Sequence, residues 1–436
     1  MTDHEKTKTI RVDYLARVEG EGALYIRYND ERVHDVKLKI FEPPRFFEAF
    51  LQGRDYREAP DITARICGIC PVAYQMSAVH AMENALAIDL EPGMHQLRRL
   101  LYCGEWIESH VLHIVMLHTP DFLHIDSAME LAAIHPDIVQ QALSLKKTGN
   151  AIVSRLGGRE IHPINIRVGG FYQLPTAREL DILRHDLHSA LAQAITLARW
   201  VAELPIPDFD RSAEPYLLVA LHNEHEYPMN SGSLISSDGL SLCAAQFEKH
   251  FIEQHVEHSN ALHCLFEGQR PYFVGPMARF NLNFDQLAPG AHALAIELNA
   301  KPPYLNPFAS IVVRALEVVH ALETGITILD KYQAPSQPFV TGSVRSASGC
   351  AITEAPRGIL YHRYTIDDDG KILSAKIVPP TSQNQKTIED DLRLMLPSLL
   401  HLNEDDLRHR CEQAIRNYDP CISCATHFLQ LTLDKH

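Results

Sequence analysis

The chain has 436 residues and a formal net charge of −15, and 46% of its residues are hydrophobic. This composition is that of a globular protein, and the length suits two or three domains or one large unit at about 150 residues per domain. The acidic balance argues against a nucleic-acid interface, which needs a basic face. The start, MTDHEKTKTIRVDY, has no apolar segment of a secretory signal, and no apolar run predicts a direct membrane span.

The predicted elements begin with strands. The segments TIRVDYLARVEGEGALYIRYND and ERVHDVKLKIF are rich in Val, Ile, Tyr and Leu, which favours strands joined by turns. RFFEAFLQGRD predicts a short helix that ends at Gly53, and a helix is expected to start at Pro71. Apolar residues at helical spacing then predict four long helices, at residues 95–119, 136–158, 177–204 and 306–332.

The remaining segments complete a helix-rich pattern. Residues 205–300 are mixed, with short strand-like pieces and many turn residues. RGILYHRYTIDDDGKILSAKIVPP predicts a hairpin closed at Asp369-Gly370, and EDDLRHRCEQAIRNY predicts a last helix. Strands and helices do not alternate, so a doubly wound sheet is not expected. We predict an α+β fold that is predominantly α, with a large intertwined helical core and small peripheral antiparallel sheets.

Two CxxC pairs stand at opposite ends of the chain, in RICGIC (residues 65–70) and DPCISCATH (residues 419–427). The two-residue spacer lets both sulfurs of a pair face one metal, and two pairs make a four-thiolate site. Such a site suits zinc, an iron–sulfur cluster, nickel or copper, and redox pairs are a further possibility. The cysteines of compact zinc ribbons lie much closer in sequence, about 15–20 residues apart. If both pairs share one site, the ends of the chain must meet.

The residues around the cysteines carry a more specific signal. RICGIC followed by a helix, and DPCxxCxxH near the end, resemble the two signature motifs of the [NiFe]-hydrogenase large subunit. Further segments fall in the order of that family, over residues 11 to 427: RVEGEG, FFEAFLQGRD, ESHVLH, GGREIHP, VGGF and EAPRG. Tyr74, together with VPPTSQN, is similar to the cytoplasmic nicotinamide-linked group, sometimes called sulfhydrogenases.

The resemblance implies a metal role for each paired cysteine. Cys67 and Cys421 would be terminal thiolates on nickel, and Cys70 and Cys424 would bridge nickel to an iron that carries carbon monoxide and cyanide. A second divalent ion, often magnesium in the family, is expected near two further residues, Glu48 and His427.

Further residues match positions that handle H2 and protons in the family. Glu19 matches its proton-relay glutamate. Arg357, with Pro356 beside it, matches an arginine over the open face of the metals, and Asp121 and Asp419 match the acidic partners of that arginine.

Three residues of VPPTSQN are expected to line the diatomic ligands, namely Pro379, Pro380 and Thr381. Many relatives carry a hydroxyl residue where Pro380 falls, so a hydrogen bond to one cyanide is expected from Thr381 or from a backbone group. His110 and His113 lie three apart on a helix face and are expected to support the site.

The sequence departs from the family pattern in three places. Glu21 occupies a position where histidine is usual, Tyr74 stands where many relatives carry histidine, and nine residues, FLQLTLDKH, follow His427. In the family such a tail is removed by a dedicated endopeptidase once nickel is inserted. The sequence therefore predicts one catalytic unit with N-terminal strands at 1–45, a helical region at 46–204, a mixed region at 205–300, the second cysteine region at 301–427 and a removable tail at 428–436.

The expected function is reversible oxidation of H2. The chain lacks the further cysteines of electron-relay clusters and a GxGxxG fingerprint, so we expect an iron–sulfur small subunit and, for the nicotinamide-linked group, flavin, NAD(P) and further iron–sulfur subunits. Nickel-insertion factors and the endopeptidase are expected partners, and the cytoplasm the location. The alternatives are a hydrogenase-like structural subunit of a quinone-linked respiratory complex, whose members have generally lost the cysteines, and a zinc-stabilised scaffold.

Overall fold

The computed structural model describes residues 8–29, 32–43 and 46–426. The α-helices in these ranges are α1 (Phe47–Leu51), α2 (Ala59–Thr63), α3 (Pro71–Leu86), α4 (Pro92–Val111), α5 (Thr119–Phe122), α6 (Ala128–Ile134), α7 (Pro136–Gly157), α8 (Ala177–Ala202), α9 (Phe247–His250), α10 (Pro276–Leu282), α11 (Pro289–Glu297), α12 (Ser310–Lys331), α13 (Pro380–Leu399), α14 (Glu404–Arg416) and α15 (Ile422–Ala425). A π-helix, Leu112–His118, joins α4 to α5. Short 3₁₀ turns lie at Tyr56–Glu58, Ala64–Ile66, Ala244–Gln246, Phe284–Gln286 and Pro307–Ala309.

The strands form small sheets, and every ladder between them is antiparallel. They are β1 (Lys8–Val12), β2 (Gly22–Tyr28), β3 (Val33–Ile40), β4 (Ile166–Arg167), β5 (Gly170–Phe171), β6 (Val219–His222), β7 (Ser233–Ser236), β8 (Ser241–Leu242), β9 (Phe251–Val256), β10 (Ser259–Phe266), β11 (Ala347–Ala355), β12 (Gly358–Ile366) and β13 (Ile372–Val378). Three sheets have three strands each, in the orders β1-β2-β3, β6-β7-β8 and β11-β12-β13, and two are two-stranded, β4-β5 and β9-β10.

Long helices make the core. Helix α4 packs on α7 and α12, and α8 packs on α12 and α7. The backbones of α4 and α7 approach so closely that a Cβ added at Gly149 would lie 2.7 Å from the carbonyl oxygen of Gly104. Only glycine fits at such a contact. The predicted fold, predominantly α with small antiparallel sheets at its periphery, is confirmed.

Most predicted elements are present, but several observed elements were not predicted, including α10 and α11 in the region 205–300, where short strand-like pieces were expected. The hairpin predicted at Asp369-Gly370 is β12 and β13, and the strand β11 beside it was not predicted. Helix α13 was not predicted either, although it packs on β3 and β10 and begins beside the second cysteine pair. The division into sequence regions stays a prediction. None of the described helices is long and apolar enough to cross a membrane.

Candidate metal centre

The two CxxC pairs meet in one buried cluster. Cys67 and Cys70 lie in the turn before α3, and Cys421 and Cys424 lie at and within α15. The Sγ atoms of Cys67 and Cys421 are 3.5 Å apart, those of Cys70 and Cys424 3.9 Å, and those of Cys421 and Cys424 2.6 Å. All four ligand atoms lie within 4.8 Å of one another. The expectation that both ends of the chain build one site is confirmed.

Backbone amides bind the sulfur of Cys67, and a carboxylate that the sequence did not predict binds the start of the helix that follows the first pair. The N–H groups of Ile69 and Cys70 donate to the Sγ of Cys67, at 3.3 and 3.2 Å. The first N–H groups of a helix have no partner within the helix. In α3 the carboxylate of Glu105, on α4, accepts from Val72 at 2.6 Å and Ala73 at 3.0 Å. Nothing in the sequence pointed to Glu105, because one glutamate within an amphipathic helix gives no signal of its partner.

Glu19 lies against the second pair. Its backbone carbonyl accepts from the N–H of Ile422 at 2.9 Å, which joins the N-terminal segment to the start of α15. Its Oε2 accepts from the N–H of Ser423 at 3.0 Å and lies 3.0 Å from the Sγ of Cys421. A carboxylate oxygen in hydrogen-bond reach of a metal-binding sulfur can exchange a proton with it.

The start of α13 packs against Cys421. Pro379 caps this helix and Pro380 is its first residue. The next residue, Thr381, accepts the N–H of Cys421 at its Oγ1, 3.0 Å away. This bond leaves the hydroxyl proton of Thr381 free to donate elsewhere. The VPPTSQN segment therefore contacts the cysteine cluster through Thr381, and its role in lining ligands of a metal centre stays a prediction.

Arg357 is buried beside the cluster and is held by Asp419. Its Nε donates to the carbonyl oxygen of Asp419 at 2.7 Å and its Nη2 to the carboxylate at 3.1 Å. Its Nη1 lies 3.4 Å from the Oγ of Ser109. Burial lowers the pKa of the guanidinium, but Asp419 and the cysteine sulfurs outweigh burial and hold that pKa well above its ordinary value. Arg357 is therefore a fixed cation.

Asp121 does not join this group, which corrects the expected pairing with Arg357. Its carboxylate accepts from the Nε of Arg416 at 2.6 Å and the Nη2 at 2.7 Å, and also binds Arg17. The π-helix that follows α4 leads into α5, whose Asp121 faces the end of α14, where Arg416 lies. Ser109 takes the place expected of Asp121, and its position in ESHVLH was the available signal.

The segment that carries Arg357 is held by a buried ionic network that sequence reasoning missed. Arg279 donates to the carboxylates of Glu317 and Glu354 at 2.8 to 2.9 Å and to the carbonyl oxygen of Pro356 at 3.0 Å. A Cβ at Gly275, where φ is +111°, would lie 2.6 Å from the carbonyl oxygen of Arg357, so glycine is required there. Arg279, Glu317 and Glu354 lie far apart in the sequence, so the sequence alone did not show that they form ion pairs.

His110 and His113 support the helices around the cluster. His110 Nε2 lies 2.9 Å from Glu317, and burial lowers the pKa of this imidazole to about 4. His113 Nε2 lies 2.8 Å from the carbonyl oxygen of Arg416, and burial lowers its pKa well below the usual value. Both rings are therefore neutral, and they tie α4 and the π-helix to α12 and α14.

Glu48 contacts the backbone of β13. It accepts the N–H of Ile377 at 2.7 Å, and burial raises the pKa of its carboxyl to about 7. His427, the other residue expected at a magnesium site, and the tail 428–436 lie outside the described residues. The magnesium site stays a prediction.

The sulfur cluster fits a soft multivalent cation. Burial alone raises the thiol pKa values. Contacts from Cys421 and Cys424 bring the pKa of Cys67 well below its ordinary value, while burial and neighbouring sulfurs hold that of Cys421 above it. Four buried sulfurs cannot all carry negative charge without a compensating cation. The buried sulfur donor set would suit a soft transition metal such as nickel.

Comparison with known proteins agrees with this chemistry. A family model described as nickel-dependent hydrogenase matches residues 45–142 and 308–427. The alpha subunit of sulfhydrogenase 1 from Pyrococcus furiosus is 34% identical, over 97% of this chain and 98% of that protein. The beta subunit of the NAD-reducing hydrogenase HoxS from Cupriavidus necator is 26% identical, over 97% and 95%. The crystal structure of an NAD⁺-reducing [NiFe]-hydrogenase in the H2-reduced state matches with a TM-score of 0.87 and 25% identity, over 96% and 99%.

Proposed function

Because this chain belongs to the nickel-dependent hydrogenase family, we propose that it is the catalytic large subunit of a [NiFe] hydrogenase that oxidises H2 reversibly to two protons and two electrons. The family resemblance of the sequence motifs is confirmed by the family model and the relatives. The observation that carries the proposal is the buried cluster of four cysteines drawn from both ends of the chain. Four such thiolates beside a fixed cation and a carboxylate form a site for heterolytic cleavage of a small molecule.

Cys67, Cys70, Cys421 and Cys424 would hold nickel and iron through their sulfurs. A nickel–iron centre, when bound, supplies the two-electron chemistry of H2. The sulfur of Cys421 can take up the proton that cleavage releases, and Glu19 Oε2, 3.0 Å away, can accept it next. The N–H of Ser423 binds the same oxygen and keeps the carboxylate aimed at the sulfur.

Arg357 would act without changing its own protonation. It is a permanent cation in a buried site, where charge interacts strongly because little water screens it. Asp419 fixes the plane of its guanidinium through two contacts. The hydroxyl of Thr381 and the backbone near Pro379 and Pro380 would line the ligands of the iron.

We also propose the partners and the location. Electrons would leave through an iron–sulfur small subunit and pass to flavin and NAD(P)-binding subunits, since relatives include a sulfhydrogenase subunit and a subunit of an NAD-reducing hydrogenase. The likeness to these proteins supports a cytoplasmic location. Maturation would need nickel-insertion factors and an endopeptidase that cuts after His427. A separate magnesium ion would be held by Glu48 and His427.

The alternatives are a non-catalytic hydrogenase-like subunit of a quinone-linked complex and a zinc-stabilised scaffold. Measuring the metal content and the molecular mass of the purified chain distinguishes these alternatives from the hydrogenase. We expect about one nickel per chain and the mass of a chain whose last residue is His427. Cys421→Ser should remove nickel and H2 turnover, whereas Cys243→Ser, at an exposed cysteine, should change neither. Near-normal turnover in Cys421→Ser would refute the assignment, and about one zinc with no nickel would identify a scaffold.

A further inference from the structure

A second group of metal-binding side chains lies outside the cysteine cluster. His258 is in the turn between β9 and β10, His263 is on β10, and Glu389 is on α13. One ligand atom from each lies within 4.8 Å of the other two. His258 Nε2 is 2.7 Å from Glu389 Oε1, and the two imidazole rings are 5.6 Å apart and nearly perpendicular. Three donors from separate elements therefore converge on one point.

His263 gives independent evidence that the group has a ligand. Its side chain is 3% exposed, and its Nε2 has no hydrogen-bond partner among the residues that the structure describes. A buried polar nitrogen without a partner is costly and rare in folded proteins. A metal ion bound by this nitrogen would remove that cost.

We propose that His258, His263 and Glu389 bind one divalent cation of the zinc class. Two imidazole nitrogens and one carboxylate oxygen are borderline donors, which zinc accepts with a fourth position open. Tetrahedral zinc with bonds of about 2.0–2.1 Å holds its ligands about 3.3 Å apart, so small side-chain rotations would bring these donors to bonding distance. An open cavity of about 550 Å³ borders His258 and gives an ion access.

The surrounding charges leave the carboxylate of Glu389 available. The Nζ of Lys386 lies 4.0 Å from the carboxylate of Glu389 but 2.9 Å from that of Asp390. The negative charge of Asp390 therefore offsets the positive charge of Lys386. Leu38 donates its N–H to Glu389 Oε1 at 3.0 Å and orients the carboxylate, as partners of metal ligands do. Lys37 and Lys39 border the cavity, and Lys37 pairs with Asp35.

The ion would connect three parts of the fold. It would join the β9–β10 hairpin to α13 and, through Leu38, to β3. Thr381, at the start of α13, binds Cys421, and Glu389 lies eight residues further along, about 12 Å at the helical rise of 1.5 Å per residue. The proposed site is therefore separate from the cysteine cluster and would stabilise the helix that packs against it.

The test is zinc binding by the purified full-length protein with the subunits that copurify. Metal is removed with a mild chelator, Zn²⁺ is titrated back, and bound zinc is counted for wild type, His263→Gln and Glu389→Gln. Wild type should bind one more zinc per chain than either variant, whose affinity should fall more than about 100-fold, because even outer-shell losses cost about 10–100-fold. Substituted Co²⁺ should give the absorption of a tetrahedral nitrogen–oxygen site in wild type alone.

One control variant and the comparison of zinc content between variants separate this site from other zinc-binding groups. His250→Gln removes a histidine that also contacts a glutamate, Glu267 at 2.6 Å, in a more exposed place, and should leave the extra zinc bound. Zinc on the cysteines cancels in the difference between wild type and variants, and H2 turnover does not enter the readout. Equal zinc in wild type, His263→Gln and Glu389→Gln would overturn the proposal. If one variant fails to fold, His258→Gln replaces it in the same comparison.

Discussion

Glu19→Gln tests the proton path at the cysteine cluster. The substitution would keep the size of the side chain and an oxygen that accepts the N–H of Ser423, so the loop at Cys421 should stay in place. It would remove the carboxylate that lies 3.0 Å from the Sγ of Cys421 and can take a proton. A positioned acid or base contributes about 10²–10⁴-fold, so H2 oxidation should fall by that factor, about 3–5 kcal/mol in activation free energy. The assay is H2 oxidation with an artificial electron acceptor, with nickel content measured on the same sample.

Glu42→Gln is the matched control. The carboxylate of Glu42 binds the same loop, since it accepts from the Oγ of Ser423 at 3.0 Å, and it also accepts from the N–H of Glu21 at 3.3 Å. We expect Glu42→Gln to keep most of the turnover. The reasoning would be refuted if Glu19→Gln turned over at the wild-type rate with normal nickel content, or if both variants lost activity equally.

Two further variants test the environment of the centre. Asp121→Asn should destabilise the protein by up to about 3–5 kcal/mol, because Arg17 and buried Arg416 lose a shared charge partner and, among the described residues, only Glu412 still pairs with Arg416, and an unchanged thermal midpoint would contradict this role. Burial raises the pKa of Glu108 from 4.5 to about 8. Between these two pH values the folded state keeps a proton on Glu108 that the unfolded state releases. The free energy of unfolding should therefore fall as the pH rises through this window, by up to about 5 kcal/mol. Glu108→Gln should remove that loss, so its thermal midpoint relative to that of wild type should rise from about pH 5 to about pH 8 and level off above that, and parallel curves would contradict the assignment.

The long amphipathic helices could be predicted because their apolar residues recur at helical spacing. Helix α13 could not, because its first turns carry Gln383, Asn384 and Gln385 on buried positions. These amides bond backbone groups across the fold: Asn384 contacts Val274, and Gln383 and Gln385 donate to carbonyl oxygens of β12 and β10. A helix whose buried face is polar has no apolar period to detect.

The chemistry of the centre could be predicted from local sequence alone. Two CxxC pairs with their flanking motifs identified four thiolates, a family and the carboxylate of Glu19, because ligand type and local spacing are properties of the chain. The sequence also implied that the ends of the chain meet, since one metal site cannot be built from pairs that stay apart.

Which charges face one another depends on how the elements pack. Arg357 contacts Asp419 and Ser109, while Asp121 binds Arg416 and Arg17, and Glu105 holds the start of α3. These partners lie on separate elements, and a π-helix separates Ser109 on α4 from Asp121 on α5. The same is true of His258, His263 and Glu389, which meet only because α13 packs on β10. Local sequence fixes residue types and periodicity, whereas pairing between distant side chains depends on how helices and strands pack.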